Sequence, residues 1–305
     1  MSRLYVQEVA VRDGFQIEKA FVPTAEKIAL VDALSRTGLA KIEVTSFVSP
    51  KAVPNMRDAE EVMRGIRRAP GVVYSALVPN AKGAERALSC GVDELNLVMS
   101  ASESHNRSNL NRSTAQSLEG FVEVMRAVKG SGARVNGSVS TAFGCPFEGD
   151  VPQERVLGFA ERYLELGLHG ITLADTTGMA HPRQVAALTA EALRRFPGAE
   201  LTLHFHNTRG MGLANVVASL DAGAVRFDAS LGGLGGCPFA PGATGNICTE
   251  DLVHMLAAMG YDTGVDLDEL LCVARKLPSI VGHDVPGQVA KAGKITDLHR
   301  QEGAR

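Results

Sequence analysis

Eight short apolar runs recur along the chain, each separated from the next by a longer stretch with apolar residues spaced three and four apart. The runs are LYVQEVA (4–10), AKIEVT (40–45), VVYSALV (72–78), DELNLVM (93–99), ARVNGSVS (133–140), GITLAD (170–175), LTLHFH (201–206) and VRFDAS (225–230). They read as strands, and the intervening stretches, such as 24–38, 58–68, 114–130 and 152–167, read as amphipathic helices. Thr24 and Asp58 stand where helix caps are expected, and Gly38, Gly130, Gly167 and Gly223 where a left-handed residue closes a helix. Eight strand-then-helix units predict a (β/α)8 TIM barrel rather than an open doubly wound sheet. An open sheet would more naturally carry a glycine-rich turn after its first strand, where this chain has VRDGFQIE. Two further helix-like stretches, 249–259 and 267–277, and a polar tail follow the eighth run. Residues 1–305 are therefore read as a single domain, with the barrel over about 4–259 and a C-terminal helical extension over about 260–305.

Composition removes several function classes. At 305 residues and 45% hydrophobic content, the chain suits one large α/β domain with a substantial core. A net charge of −3 offers no bulk attraction to nucleic acid or an anionic membrane. No apolar run approaches the roughly 20 residues that span a bilayer. The start, MSRLYVQEVA, enters the strand pattern at once, so no secretory signal is expected. The five cysteines (Cys90, Cys145, Cys237, Cys248 and Cys272) are odd in number, scattered and without a CxxC pair. That argues against a disulfide framework or structural zinc and for a reducing compartment, with the cytoplasm as the expected address.

In a barrel the C-terminal ends of all eight strands face one rim, where such folds build active sites. The residues there are unusual: Arg12 and Asp13 after the first strand, Glu43, Thr45 and Ser46 on the second, and Asn136, Ser138 and Ser140 on the fifth. Asp175, Thr176 and Thr177 end the sixth, His204 and His206 end the seventh, and SLGGLGGCPFAPGATGN (230–246) follows the eighth. Side chains at i and i+2 share a strand face, so His204 and His206 project together, about 6.6 Å apart at the backbone. They are either an ordinary hydrogen-bonded pair or two metal ligands. Asp13 adds an anionic oxygen and Asn246 an amide oxygen. Two imidazoles and two oxygens leave room for substrate in an octahedral shell, which suits Mg2+ or Mn2+; zinc tolerates the same donors. The glycine-rich stretch lacks the Lys-Ser/Thr of a P-loop and the dinucleotide spacing. It reads as a mobile lid that brings in Cys237, or as a tight structural turn. Cys145 reads as structural, Cys90, Cys248 and Cys272 as core, and the other histidines, His105 among them, as surface or capping groups.

VRDGFQIE (11–18), IEVTSFVSPKAVPNMRDAEEV (42–62), GCPFEG (144–149), LADTTG (173–178), HFHNTRGMGLAN (204–215) and GLGGCPFAPGATGNICTEDLV (233–253) resemble the 3-hydroxy-3-methylglutaryl-CoA lyases. These belong to the metal-dependent TIM-barrel lyases and Claisen synthases, and the resemblance runs from about residue 4 to 290. It implies Asp13, His204, His206 and Asn246 as ligands of a divalent cation (Mg2+ or Mn2+). It implies catalytic roles for Arg12 at the enolate oxygen, for Cys237 in proton transfer, for Asp13 or His204 as acceptor of the hydroxyl proton, and for Glu43 in the active-site region. Arg12, Lys19, Asn109, Ser138, Asp175 and Glu250 are the implied substrate-binding set, Lys19 and Asn109 near the CoA moiety. The implied activity is retro-Claisen cleavage to acetyl-CoA and acetoacetate by a homo-oligomer, a dimer or larger. Arg12–Asp13 as a structural ion pair, and Glu43 and Asp175 as scaffolding, remain the plainer alternatives.

Three positions depart from that pattern: Ser138 replaces a tyrosine, and Asn207 and Arg209 stand where the family reads HDTYG. Arg209 offers a bidentate site for an extra carboxylate or simply reaches solvent. A citramalyl or longer-branched acyl-CoA is therefore the alternative substrate. A Claisen synthase or aldolase is another reading, although synthases usually carry a regulatory domain after the barrel. A non-catalytic metal- or CoA-binding relative is a third, and one that would not need the thiol.

Overall fold

The computed structural model describes residues 3–236 and 245–298. All eight expected strands form: β1 (Tyr5–Glu8), β2 (Lys41–Ser46), β3 (Val73–Leu77), β4 (Glu94–Ser100), β5 (Arg134–Ser140), β6 (Gly170–Asp175), β7 (Glu200–Phe205) and β8 (Arg226–Ala229). Each pairs parallel with the next, and β8 returns to β1 in the register Tyr5↔Arg226 to Glu8↔Ala229, closing the barrel. The helices are α1 (Thr24–Leu34), α2 (Ala59–Gly65), α3 (Ala81–Leu88), α4 (Glu103–Leu110), α5 (Thr114–Val128) and α6 (Gln153–Glu165). They continue with α7 (Pro182–Arg195), α8 (Gly212–Asp221), α9 (Thr249–Ala258), α10 (Leu267–Ala274), α11 (Leu277–Val281) and α12 (Val289–Ala292).

Helix ends divide the expectations. Gly38, Gly130, Gly167 and Gly223 all adopt positive φ (89°, 81°, 92° and 101°), as expected of helix-closing glycines. The two expected caps fail. Thr24 lies inside α1, and its hydroxyl donates to Asp58 Oδ2 at 2.9 Å. Asp58 precedes α2 but caps nothing, because its Oδ1 accepts from Lys27 Nζ at 2.7 Å. The Lys27 side chain is 2% exposed, and a buried ammonium left unpaired costs more than an uncapped helix end.

The barrel interior is polar rather than filled by layers of branched apolar side chains. Gln7 Nε2 donates to Thr202 Oγ1 (3.1 Å), and Asn136 Nδ2 to Asn96 Oδ1 (3.0 Å) and Thr172 Oγ1 (2.9 Å). Ions plug the N-terminal rim. Lys41 Nζ lies 2.5 Å from Glu94 Oε1 and His169 Nε2 3.2 Å from Glu94 Oε2, while Arg134 and Arg226 lie 2.7 and 3.4 Å from Glu200. Burial alone would push the Glu94 carboxyl up, but His169 and Lys41 hold it down at about 2. Glu94, His169 and Glu200 stand close enough there to share an ion, as do Asp13, His204 and His206 at the opposite rim.

After β8 the chain packs back along the β8–β1 seam. Leu4 N–H donates to Asp262 O (2.9 Å) and Asp266 N–H to Thr37 O (2.7 Å). Gly38 makes the second contact possible, since a Cβ there would stand 2.1 Å from Gly264 O.

Candidate metal centre and active site

Strand β1 stops at Glu8, two residues short of the expected run, because Ala10–Gly14 forms a single π-helical turn. Val9 O accepts from both Arg12 N–H (3.2 Å) and Asp13 N–H (2.7 Å). Both side chains are thereby buried at the rim. Arg12 Nε and Nη2 each lie 2.5 Å from Glu43 Oε2, and Nη1 donates to Asp13 Oδ1 at 2.6 Å. Asn96 Nδ2 donates to Glu43 Oε1 at 3.0 Å, tying the guanidinium to the amide chain inside the barrel. Burial disfavours the charged Arg12, but Glu43 and Asp13 outweigh it and hold the guanidinium ionised. Burial pushes the Glu43 carboxyl up, against the pull of Arg12.

Asp13 Oδ1 also accepts from Gln16 Nε2 (3.1 Å), and Oδ2 from Asn246 Nδ2 (2.7 Å). Burial would raise its pKa, yet Arg12, His204 and His206 together hold it below the usual range. His204 and His206 do share a face, with their Nε2 atoms 3.1 Å apart. Ligand atoms of Asp13, His204 and His206 all lie within 4.8 Å of one another. Asn246 joins them because His206 and Asn246 form an antiparallel bridge between the end of β7 and the chain returning from the glycine-rich stretch. Its Nδ2 also donates to Leu234 O (3.0 Å), while its Oδ1 is buried with no hydrogen-bond partner among the described residues. A carboxylate, two imidazoles and an orphaned amide oxygen are a donor set that fits a divalent cation.

The remaining expected residues fall in several places. Asp175 is buried at the end of β6; its Oδ1 accepts from Met179 N–H (2.8 Å) and Ala180 N–H (3.1 Å), and Oδ2 has no hydrogen-bond partner among the described residues. Burial lifts its pKa to about 6. Ser138 is buried on β5 two residues beyond Asn136, hence on the interior face. Lys19 and Asn109 are exposed, one after β1 and one on α4. Glu250, of the implied substrate-binding set, lies fully buried on α9, where its Oε2 accepts from Gly232 N–H at 3.0 Å. It supports the base of the glycine-rich stretch, and the small Gly287 packs against it. Cys237 lies outside the described residues.

Arg209 is exposed and donates Nη1–H to Thr177 O and Gly178 O, each at 3.0 Å, bracing the loop after β6. His105 is fully buried beside Ser100 (Nδ1 to Oγ 2.7 Å) and Cys272 is exposed, the reverse of expectation for both.

Sequence reasoning missed Glu8 and Asp228. Glu8 accepts from Ala10 N–H (2.7 Å), Leu231 N–H (2.9 Å) and Thr249 Oγ1 (2.7 Å), joining β1 to the chain after β8. Asp228 Oδ2 lies 3.2 Å from His204 Nδ1. The available signal was an acidic residue set within an apolar strand run, LYVQEVA for one and VRFDAS for the other.

Fold and site together define a class: TIM-barrel enzymes with a metal-ready cluster where β1, β7 and the chain after β8 meet. Residues 3–277 match the HMGL-like family model, and the chain belongs to that family. A hydroxymethylglutaryl-CoA lyase of Bacillus subtilis (strain 168) is 46% identical over 94% of this chain and 96% of its own. An (R)-citramalyl-CoA lyase of Chloroflexus aurantiacus is 41% identical, covering 97% of this chain and 96% of its own. The structure of an HMG-CoA lyase from Acinetobacter baumannii in complex with coenzyme A and 3-methylmalate superposes with a TM-score of 0.95 at 55% identity, covering 98% of this chain and 97% of that one.

Proposed function

We propose that this chain is a divalent-metal-dependent carbon–carbon lyase that cleaves 3-hydroxy-3-methylglutaryl-CoA to acetyl-CoA and acetoacetate. The observation that carries the reading is the convergence of Asp13, His204 and His206 within 4.8 Å, beside a guanidinium locked by two carboxylates. The named activities of its relatives support it. Mg2+ or Mn2+ bound by Asp13, His204, His206 and Asn246 would supply Lewis acidity to an oxygen-rich acyl group. Asp13 or His204 takes the substrate hydroxyl proton. The C2–C3 bond then breaks, its electron pair passing to the thioester as an enolate while the hydroxyl carbon becomes the ketone of acetoacetate. Arg12, oriented by Glu43 and Asp13, stabilises the enolate oxygen, a donor typically worth about 3–4 kcal/mol. Cys237, which lies outside the described residues, protonates the enolate carbon. Ser138 and Asp175 line the acyl side, and Lys19 and Asn109 meet the CoA moiety.

A second reading keeps the chemistry and changes the acyl group, favoured by Ser138 with its small side chain on the interior face of β5. Citramalyl-CoA and longer-branched 3-hydroxyacyl-CoAs are its substrates. A panel of 3-hydroxy-3-alkyl acyl-CoAs assayed with Mg2+ or Mn2+, with and without chelator, separates the two. Acetyl-CoA release from the methylglutaryl member that stops on chelation is the expected result; release that survives chelation overturns the metal-dependent reading. Cys237→Ala and Asp13→Ala should each abolish most turnover.

The same reading has the chain act as one domain, in a cytoplasmic homo-oligomer of two or more copies. Sedimentation velocity tests the oligomeric state. No described helix is long and apolar enough to cross a membrane.

A further inference from the structure

Asp228 has no place in the reaction as derived above, yet it is aimed at a proposed metal ligand. Strands β7 and β8 pair in the register His204↔Asp228, so the two side chains leave neighbouring strands at the same level on the interior face. Asp228 Oδ2 lies 3.2 Å from His204 Nδ1, and the two side chains are 13% and 10% exposed. The hydrogen bonds of the Arg12 guanidinium go to Glu43 and Asp13, so Arg12 meets Asp228 only through its charge.

A carboxylate offers only acceptors, so the hydrogen bond requires the proton to sit on Nδ1 of His204. A neutral imidazole carries one N–H, which leaves Nε2 with its lone pair. Nε2 is the atom that faces the cluster, 3.1 Å from His206 Nε2. Without a partner, a neutral imidazole favours the opposite tautomer, with the proton on Nε2 and the lone pair turned away from the cluster. A fixed ring plane matters as much, since only two side-chain torsions of His204 decide where Nε2 points.

We propose that Asp228 is the positioning residue of the metal centre: it selects the Nδ1–H tautomer of His204 and fixes the ring so that Nε2 is free to bind a divalent cation. This rests on the reading of Asp13, His204 and His206 as ligands. It assigns Asp228 no contact with substrate, and because both His204 nitrogens are then engaged it leaves Asp13, of the two candidates, to take the hydroxyl proton.

The test is Mn2+ binding to metal-free protein, followed by electron paramagnetic resonance or calorimetry, for the wild type and Asp228→Asn. Loss of a partner of this kind typically weakens metal affinity by about 10- to 100-fold, and that loss is expected here. In parallel, 15N spectra of histidine-labelled, metal-free wild type, recorded above the imidazolium range and assigned with His204→Gln, should show the His204 proton on Nδ1. Wild-type Mn2+ affinity in Asp228→Asn, or a His204 proton on Nε2 in the wild type, overturns the proposal. Absence of Mn2+ binding by the wild type would instead overturn the parent reading of the site. If Asp228→Asn does not fold, the wild-type tautomer still decides.

Discussion

Arg12 makes the sharpest demand at the scale of a single residue. Its Nε and Nη2 both face one Glu43 oxygen while Nη1 holds Asp13, so the fork geometry of the guanidinium, not only its charge, sets the site. Lysine carries the charge without the fork. Arg12→Lys and Arg12→Gln should both lower kcat, by about 100- to 1000-fold for the glutamine variant, with a smaller change in KM. Steady-state kinetics on the accepted acyl-CoA measure the split; near-normal kcat in Arg12→Gln would remove the enolate role. The His204–His206 pair was legible from spacing alone, because the two-residue period of a strand puts both on one face. Asp228 was not, because its partner lies 24 residues away and is set by strand register.

At the scale of an element, β5 meets α6 with no space to spare. Gly137 lies where a Cβ would stand 2.3 Å from Tyr163 Cδ2 and 2.7 Å from Leu168 Cδ2. The Tyr163 ring cannot swing aside easily: it is fully buried and its hydroxyl donates to Ser138 O at 3.2 Å. Gly137→Ala should therefore destabilise the fold by about 1–3 kcal/mol, read from urea denaturation. An unchanged midpoint would mean that α6 can shift freely over β5. Strand positions were legible because each run keeps its apolar character over several residues. The caps were not, since Asp58 is claimed by Lys27, a residue on another helix.

At the scale of the whole molecule, two buried carboxyls organise the chain after β8, Glu8 by joining it to β1 and Glu250 by tying it to itself. Glu8 holds Leu231 N–H and Glu250 holds Gly232 N–H, and burial lifts each to about 7 from 4.5. For an acid raised on folding, the folded chain binds more protons than the unfolded chain between the two values. Folding is therefore unpenalised below about pH 4.5, and stability falls as the pH rises toward about 7, where the full penalty is present. A rise from 4.5 to about 7 corresponds to about 3 kcal/mol for each group. Urea denaturation of metal-free protein should show stability declining across that window, and Glu8→Gln should flatten the decline. A Glu8→Gln profile parallel to the wild type would show that Glu8 does not titrate there.

The repeated alternation of strand and helix patterns determined the barrel by itself, since periodicity is local and eight parallel units have one compact closed arrangement. The two histidines, Asp13 and Arg12 were likewise marked by their positions at or just after strand ends, and Asn246 by closing the glycine-rich stretch after the eighth. Only the tertiary structure decided which acidic groups do what: Glu250 and Glu8 hold the loop base, Glu43 holds Arg12, and Asp228 holds His204. A carboxylate looks the same in any apolar run, and its role depends on which donor the closed barrel brings against it.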